Sequence, residues 1–334
     1  MQDVCLFAHF DQDDKVDDYV FWYLSKLKKL DFSIIFISAS RISGEDVARL
    51  RIECRDIILR ENVGLDFGSW TEGLRKHGSS IQGRLLLAND SVYGPIGDLK
   101  EAFDRLTCEK ADFYGMVESR QIAPHLQSWF LLFEPWVHRQ IGFKKFFEQR
   151  FPAMGKQQII LTGEVALSQQ LLALGLRYKA LHSAPITVSA HLHVLNPAHL
   201  LWRELLCMAG VPFVKIELLR DNPMGLEDAS TILNVVKSIE PAMRPLIEAH
   251  YRRTVNQYDR LHPAIEFYRR QFYRMMRKDY VLSIERRWTA LTWNTIKLEI
   301  FTLPLWPWLI FKKVFYQKDS PNGSTPFTRG NSPA

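Results

Sequence analysis

The chain has 334 residues, of which 47% are hydrophobic and 24% are charged, and this composition excludes a disordered protein and predicts a sizeable hydrophobic core. The formal charge of +6 is compatible with an anionic partner: a nucleic acid, a membrane surface or a phosphorylated substrate. The four cysteines form no CxxC pair, so we expect neither disulfides nor zinc, and a reducing cytosol as the compartment. The N-terminal residues lack the pattern of a signal peptide.

Short apolar segments alternate with segments of helical periodicity through the first third of the chain. We predict strands at 4–10, 32–40, 55–61, 83–90 and 111–119. We predict helices at 17–30, 44–54, 66–76 and 96–106. Strands that alternate with helices over short connections are typical of an α/β fold, in which helices flank a mostly parallel sheet.

Polar residues follow three of these predicted strands, and ligands of such sheets bind at the carboxyl ends of the strands. We therefore predict a functional crevice there. The residues are His9 and Asp11, then Asn62, Gly64 and Asp66, then Asn89, Asp90 and Ser91.

Asp90 follows a run of leucines, a position at which a carboxylate could hold Mg²⁺ or Mn²⁺ on a diphosphate. The sequence offers a single carboxylate at this strand end, whereas a hard cation usually has more than one. The alternative is a helix cap, with Asp90 or Ser91 accepting from the amides before the next helix. The motif alone leaves both interpretations open.

The stretch ENVGLDFG, residues 61–68, combines two glycines with polar side chains after a predicted strand. In one interpretation its backbone and side chains contact a nucleotide. In the other it is an ordinary strand–helix loop, with Asp66 as the N-cap of the next helix. It is neither a GxGxxG motif nor a P-loop.

Three further groups have a chemical and a structural interpretation. Glu164 could be a general base, or an acid placed in the first turn of a helix for its dipole. His125, Gln127 and Trp129 alternate, so a strand could direct all three at a sugar, or they belong to a half-buried strand. His191 and His193 could add a metal ligand, but are more often structural.

The C-terminal part reads as helical from Thr231 onward, with pairs of basic residues interleaved with aromatics. These pairs predict a solvated helix face, a nucleic-acid surface or a surface on anionic lipid. The apolar run at 300–311 is too short and too proline-rich for a span, but could lie in a membrane interface. We predict a domain at 1–228, a basic aromatic helical extension at 229–317 and a disordered tail at 318–334.

In combination, several segments resemble the rhamnan synthesis protein F family over roughly residues 1–225. They include LFAHFD, VDDYVFWYLSKLK, RENVGLDFGSW, LLLANDSVYGP, PHLQSWFLLF and GEVALSQQLLALG. The resemblance implies a glycosyltransferase of cell-surface polysaccharide synthesis, with a GT-A-like sheet.

On this resemblance, Asn62, Gly64 and Asp66 fall at the nucleotide loop, and Asn89 and Asp90 fall at the DxD position. Glu164 falls where such folds place the base. At residues 89–91 the sequence has Asn-Asp-Ser instead of DxD. The resemblance therefore does not by itself imply that a metal is required.

The resemblance further implies transfer of a sugar, with rhamnose from dTDP-rhamnose favoured, to a lipid-linked glycan, with inversion as the expected outcome. We expect an enzyme that lies peripherally on the cytoplasmic face of the inner membrane, beside other polysaccharide-assembly enzymes, with no nucleic acid as partner. The alternatives are a non-catalytic assembly protein and a nucleic-acid-binding protein.

Overall fold

The computed structural model describes residues 1–149, 151–183 and 196–255, together with Gln271, Tyr273 and Arg277. The strands are β1 (Val4–His9), β2 (Ser33–Ser38), β3 (Asp56–Leu59), β4 (Leu85–Asn89), β5 (Val92–Tyr93), β6 (Phe113–Ser119), β7 (His125–Leu126), β8 (Phe130–Phe133), β9 (Tyr178–His182) and β10 (Val214–Lys215).

The helices up to β9 are α1 (Asp18–Lys29), α2 (Gly44–Glu53), α3 (Leu65–His77), α4 (Leu99–Thr107), α5 (Pro135–His138), α6 (Ile141–Phe147), α7 (Lys156–Ile159) and α8 (Ala166–Ala173). Those after it are α9 (Pro197–Leu200), α10 (Trp202–Cys207), α11 (Ile216–Arg220), α12 (Ile232–Ile239) and α13 (Met243–Thr254). A π-helical segment, Ile160–Val165, joins α7 to α8.

The main sheet has the strand order β3-β2-β1-β4-β8-β6, with β7 and β9 paired to β6. β1 is parallel to β2 and β4, β2 is parallel to β3, and β6 is parallel to β9. β8 is antiparallel to both of its neighbours, so β4 and β6 run in the same direction. The prediction of an α/β fold with a mostly parallel sheet flanked by helices is confirmed.

The sheet has a hydrophobic layer on each face, because successive side chains of a strand point to opposite sides. In β1, Phe7 packs in the layer that includes α1, whereas Leu6 packs in the layer that includes α3 and α6. Every residue of β1, β2 and β4 is buried. This two-sided burial explains why these strands read as continuous apolar runs rather than alternating ones.

The interpretation of Glu164 as an acid in the first turn of a helix is wrong. The helix begins at Lys156, and Glu164 lies inside the π-helical segment, so it is not a first-turn acid. At Gly163 a Cβ atom would lie 3.0 Å from the ring of Phe67, so the absence of a side chain lets the segment pack closely on α3.

The helices α12 and α13 share the core of the preceding residues. Ile232, Val236, Met243 and Ile247 are buried in the same hydrophobic cluster as the apolar face of α1. Tyr273 is buried there as well. Residues 232–254 therefore pack in the same hydrophobic layer as residues of the predicted domain at 1–228.

Several predicted features lie outside the described residues, and they stay predictions. They are His191 and His193, the basic pairs at 269–270 and 286–287, the apolar run at 300–311 and the tail at 318–334. Of the helices that the structure describes, none has both the length and the apolar character required to cross a membrane.

Candidate functional site

A cleft of about 340 Å³ opens at the carboxyl ends of β1 and β4. Asp66 at the start of α3 and Asp90 after β4 line it on one side. Lys215 and Glu217, at the junction of β10 and α11, and His250 on α13 line it on the other. The strand-end polar clusters of the sequence thus meet in one open space, as a parallel sheet requires.

Asp90 is held by the loop that follows β1. Its Oδ2 accepts a hydrogen bond from the Phe10 backbone N–H at 3.0 Å, and the His9 Nε2 atom lies 3.8 Å away. The side chain is 13% exposed and faces the cleft. Burial, and then repulsion from Asp66, raise the pKa of Asp90 well above its ordinary value. A bound cation would relieve this repulsion.

Asn89 joins Asp90 to residues 61–68, which we call the glycine loop. Its Nδ2 donates to Asp66 Oδ2 at 2.7 Å, and its Oδ1 accepts from the Ser91 hydroxyl at 2.7 Å and from the Ser91 N–H at 3.1 Å. Burial raises the pKa of Asp66 to about 6, although Lys215 and Asn89 act in the opposite direction. The structure therefore adds Asp66, from the start of α3, to the single carboxylate that follows β4.

The glycine loop is shaped by its backbone. Gly64 has a φ of 79°, which is the left-handed region that favours glycine, and it occupies the N-cap position of α3. A Cβ at Gly68 would lie 2.4 Å from the Val63 carbonyl oxygen, so the loop also needs glycine there. Asp66 is in the first turn and is not the N-cap, so the alternative of an N-capping Asp66 is wrong. Asn62 is exposed and lines the cleft.

His9 and Asp11 both line the cleft, but both have partners inside the protein. His9 Nδ1 lies 3.0 Å from the Ser38 hydroxyl, and burial lowers the pKa of His9 to about 4, so the ring is neutral at neutral pH. Asp11 Oδ2 lies 2.6 Å from Arg253 Nη2. Burial would raise the pKa of Asp11, yet the Arg253 guanidinium holds it below its ordinary value.

Arg253 on α13 also pairs with Asp13 at 2.5 Å and with Asp17. Asp11, Asp17 and His250 have ligand atoms within 4.8 Å of one another, so their geometry could suit a metal ion. The guanidinium already provides the positive charge that these carboxylates need. We therefore assign the Asp11, Asp13, Asp17 and Arg253 group a structural role and call it the arginine cluster.

Glu164 lies near the cleft but is not among the residues that line it. Its Oε2 accepts from the Ser128 N–H at 2.8 Å and from the Ser128 hydroxyl at 2.5 Å, and its Oε1 lies 3.5 Å from His125 Nε2. Burial opposes ionisation, but these contacts lower the pKa of Glu164 to about 2. In turn, Glu164 raises the pKa of His125, although burial acts against it.

Gln127 and Trp129 lie in the interior. The Trp129 indole N–H donates to Gln127 Oε1 at 3.0 Å, and Gln127 Nε2 donates to Asn196 Oδ1 at 2.7 Å. Trp129 is 2% exposed, and its ring packs against Phe213. Neither side chain nor His125 lines the cleft. The prediction that the three residues share one strand is wrong, because β7 ends at Leu126 and β8 begins at Phe130, and all three side chains are buried instead of half-buried.

Sequence reasoning missed the residues that the C-terminal half adds to the cleft, chiefly Lys215, Glu217 and His250. Lys215 Nζ donates to the Ser91 hydroxyl at 3.1 Å, and His250 Nδ1 lies 2.7 Å from the Tyr93 hydroxyl. The strand β10 that carries Lys215 has two residues, which is too short for any periodicity to mark it.

These features define an α/β protein with a polar, carboxylate-bearing cleft at the strand ends. The family model for rhamnan synthesis protein F matches residues 34–289. The chain belongs to this family, and the resemblance found in its sequence is confirmed.

The chain is also similar to curated proteins of two bacteria. It is 32% identical to the virulence protein VirA of Vibrio anguillarum over 202 residues, which is 52% of this chain and 64% of that protein. It is 27% identical to the uncharacterized protein y4gN of Sinorhizobium fredii over 49% of this chain and 44% of that protein. The chain therefore spans less than two thirds of either relative.

Two solved structures share part of the arrangement at 10% identity. One is described as a glucose-1-phosphate thymidylyltransferase from Bacillus anthracis, with a TM-score of 0.36 over 53% of this chain and 86% of that chain. The other is described as a nucleotide-diphospho-sugar transferase from Desulfovibrio desulfuricans, with a TM-score of 0.34 over 54% of this chain and 80% of that chain. Similarity at this level carries no argument about function.

Proposed function

We propose that this chain is a glycosyltransferase of cell-surface polysaccharide synthesis. It would transfer a sugar, with rhamnose from dTDP-rhamnose favoured, to a lipid-linked glycan. The observation that carries the proposal is the Asp66 and Asp90 pair, which Asn89 joins to the glycine loop in an open cleft at the end of β4. Membership of the rhamnan synthesis protein F family supports the polysaccharide context.

The two carboxylates suit a divalent cation such as Mg²⁺ or Mn²⁺. Both line the cleft, and burial raises the pKa of both, with repulsion from Asp66 as a further cause at Asp90. Oxygen ligands are those that these cations prefer. A bound cation would supply positive charge to the diphosphate of the donor. Asp90 would hold it, with Asp66 as the second ligand.

The glycine loop would contact the nucleotide. Gly64 and Gly68 leave the backbone without side chains at two points, and Asn62 offers an exposed amide beside Asp66. His9 stays neutral and adds no charge that would compete with a cation at Asp90. Phe10 is 47% exposed at the rim of the cleft and presents a flat apolar surface to a base or a sugar.

In this proposal Glu164 has a role other than that of the base. The resemblance assigns it as the base, but a carboxylate with a pKa of about 2 is a weak proton acceptor. Its bonds to Ser128 and its proximity to His125 favour a positioning role, in which it fixes the segment between β7 and β8. Gln127 and Trp129 would support that segment from the interior instead of contacting the sugar.

The alternative of a non-catalytic assembly protein rested on a single carboxylate at the strand end. Asp66 removes that argument, because it brings a second carboxylate into the cleft. The alternative of a nucleic-acid surface rested on the basic residues of the C-terminal part. Two of them are engaged internally: Arg253 in the arginine cluster, and Arg277 with Glu204 and Asp228.

The test is donor turnover by the purified protein. We expect release of dTDP from dTDP-rhamnose in the presence of Mn²⁺ and a lipid-linked acceptor, and a rise in Tm when donor and Mn²⁺ are added together. A panel of other nucleotide sugars establishes which donor is used. If no nucleotide sugar is turned over or raises the Tm, the glycosyltransferase proposal is wrong.

We also propose a peripheral position on the cytoplasmic face of the inner membrane, beside other polysaccharide-assembly enzymes. The apolar run at 300–311 would lie in the interface. A truncation that removes residues from 300 onward tests this, since it retains Tyr273 and Arg277, which contact the described core. We expect the truncated protein to lose binding to vesicles of anionic lipid, and unchanged binding would place the contact elsewhere.

A further inference from the structure

Lys215 reaches the strand-end site through a short antiparallel pairing. The two residues of β10 pair with β5, with Lys215 opposite Val92, immediately after the Asn89 to Ser91 turn. Its Nζ donates to the Ser91 hydroxyl at 3.1 Å and lies 5.8 Å from the centre of the Trp129 ring. Both Lys215 and Ser91 line the cleft. The ammonium group is therefore fixed beside the turn that carries Asp90.

Lys215 differs from the neighbouring arginines in its ion pairs. Arg220 pairs with Asp221 at 2.8 Å, and Arg253 pairs with the arginine cluster. Within the described part of the chain, Lys215 Nζ has no carboxylate oxygen within 4.0 Å. An ammonium group has three N–H donors, and the Ser91 hydroxyl uses one of them.

The carboxylates around Lys215 act on it from a greater distance. Burial lowers the pKa of Lys215, whereas Glu164, Glu217 and Asp66 act in the opposite direction. Glu164 and Asp66 have hydrogen-bond partners of their own, Ser128 and Asn89. The cleft thus holds a half-buried cation whose remaining donors are available to a ligand, next to two carboxylates suited to a metal cation.

We propose that Lys215, whose ammonium is held by the Ser91 hydroxyl, binds the diphosphate of the donor by donating its remaining N–H groups to phosphate oxygens. This inference rests on the proposed function, and it names a residue of the cleft that would contact the diphosphate. A charge-assisted hydrogen bond in a half-buried site contributes more than a neutral one. Lys215 would therefore retain part of the diphosphate affinity when no divalent cation is present.

The test is calorimetric titration of the full-length protein with inorganic pyrophosphate and with dTDP, each with Mn²⁺ and with EDTA. The variants are Lys215→Met, which keeps most of the apolar stem, and Lys215→Arg, which keeps the charge. Lys100→Met is the matched control, because Lys100 lies on α4 with its side chain 70% exposed and outside the cleft. The Tm of each variant shows whether it folds.

We expect Lys215→Met to weaken binding of both probes about 10- to 100-fold, the loss typical of a hydrogen bond to a charged group. Lys215→Arg should lose less, and Lys100→Met should bind as the wild type does. The loss should persist in EDTA, because it does not depend on the cation. If Lys215→Met does not fold, Ser91→Ala tests the role of Lys215 by removing the hydroxyl that holds its ammonium, with a smaller expected loss.

The outcomes separate this inference from the proposed function. Wild-type affinity in Lys215→Met, or in Ser91→Ala where that variant is the test, overturns the role of Lys215 even if the enzyme turns over a nucleotide sugar. A wild-type protein that binds neither pyrophosphate nor dTDP overturns it as well. Lys215-dependent pyrophosphate binding without turnover of any nucleotide sugar supports the inference and contradicts the transferase proposal.

Discussion

Two groups of carboxylates lie in or near the same cleft, and they differ in how their charge is balanced. Glu164 and the acids of the arginine cluster have protein partners: Glu164 has His125 and Ser128, and Asp11 has Arg253. Asp66 and Asp90 have hydrogen bonds from Asn89 and the Phe10 N–H but no described cation within ion-pairing distance other than His9, which is neutral at neutral pH.

The pKa values of Glu164 and Asp66 follow this difference, whereas in the arginine cluster burial raises the pKa of Asp17 despite its pairing with Arg253. Partners lower the pKa of Glu164 to about 2, whereas burial raises that of Asp66 to about 6. A balanced carboxylate stabilises the fold, and an unbalanced one costs folding free energy and is available to a ligand. The comparison therefore supports the proposal that Asp66 and Asp90 bind a ligand, and that Glu164 and the arginine cluster stabilise the fold.

The largest effect should come from Asp90→Asn. We expect transfer to fall about 100- to 1000-fold, because the cation that offsets charge on the leaving diphosphate is lost. The Tm should stay the same or rise, because the amide still accepts from the Phe10 N–H without carrying a charge. Turnover and Tm are measured with Asp104→Asn, an exposed acid on α4, as the control. A fully active Asp90→Asn would show that the Asp90 carboxylate is not needed for transfer.

Arg253→Met tests the balanced group by removing its cation. We expect a loss of about 3 kcal/mol in the free energy of unfolding, since removal of one partner leaves the carboxylates uncompensated. Denaturant titration measures the loss, and Arg252→Met on the exposed side of α13 is the control. Because Asp11, Asp17 and His250 could hold a metal, added Mg²⁺ should restore part of the Tm. A variant as stable as the control would show that the arginine cluster is not structural.

Glu164→Gln should destabilise the fold by about 2 kcal/mol at neutral pH, because the bonds to Ser128 and the pairing with His125 lose a charge. The folded pKa lies below the unfolded one, so the contribution of Glu164 is present above pH 4.5 and is lost as the pH falls toward about 2. Acid unfolding of the wild type and the variant should therefore converge. Unchanged stability together with a loss of turnover would contradict the positioning role and support Glu164 as the base.

Asp66→Asn should change stability less than Arg253→Met or Glu164→Gln, and with the opposite sign. Its folded pKa is raised, so the wild type loses stability as the pH rises from 3.8 to about 6, and the penalty is complete above that range. The variant should be about 1 kcal/mol more stable at neutral pH, or about 2–4 °C in Tm, and equal to the wild type in acid. It should also bind Mn²⁺ and donor more weakly. A lower Tm at neutral pH would contradict the comparison.

Local pattern explains why much of the fold was predictable. The apolar runs of β1, β2 and β4 and the periodicity of α1 to α4 depend on neighbours in sequence, and the structure has these elements close to the predicted positions. The strand-end placement of His9, Asn62 and Asp90 follows from the parallel sheet alone. Glu164 was misplaced because a π-helical segment has no pattern that distinguishes it from the opening turn of a helix.

By itself, the sequence determined the family, the α/β class and the meeting of Asp66, Asn89 and Asp90 at one edge of the sheet. Only the tertiary structure decided the charge of the site, since Lys215, Arg253 and His125 come from elements distant in the chain. The physical reason is that side-chain periodicity is a local property, whereas a pKa depends on burial and on every charge nearby, whatever its position in the sequence.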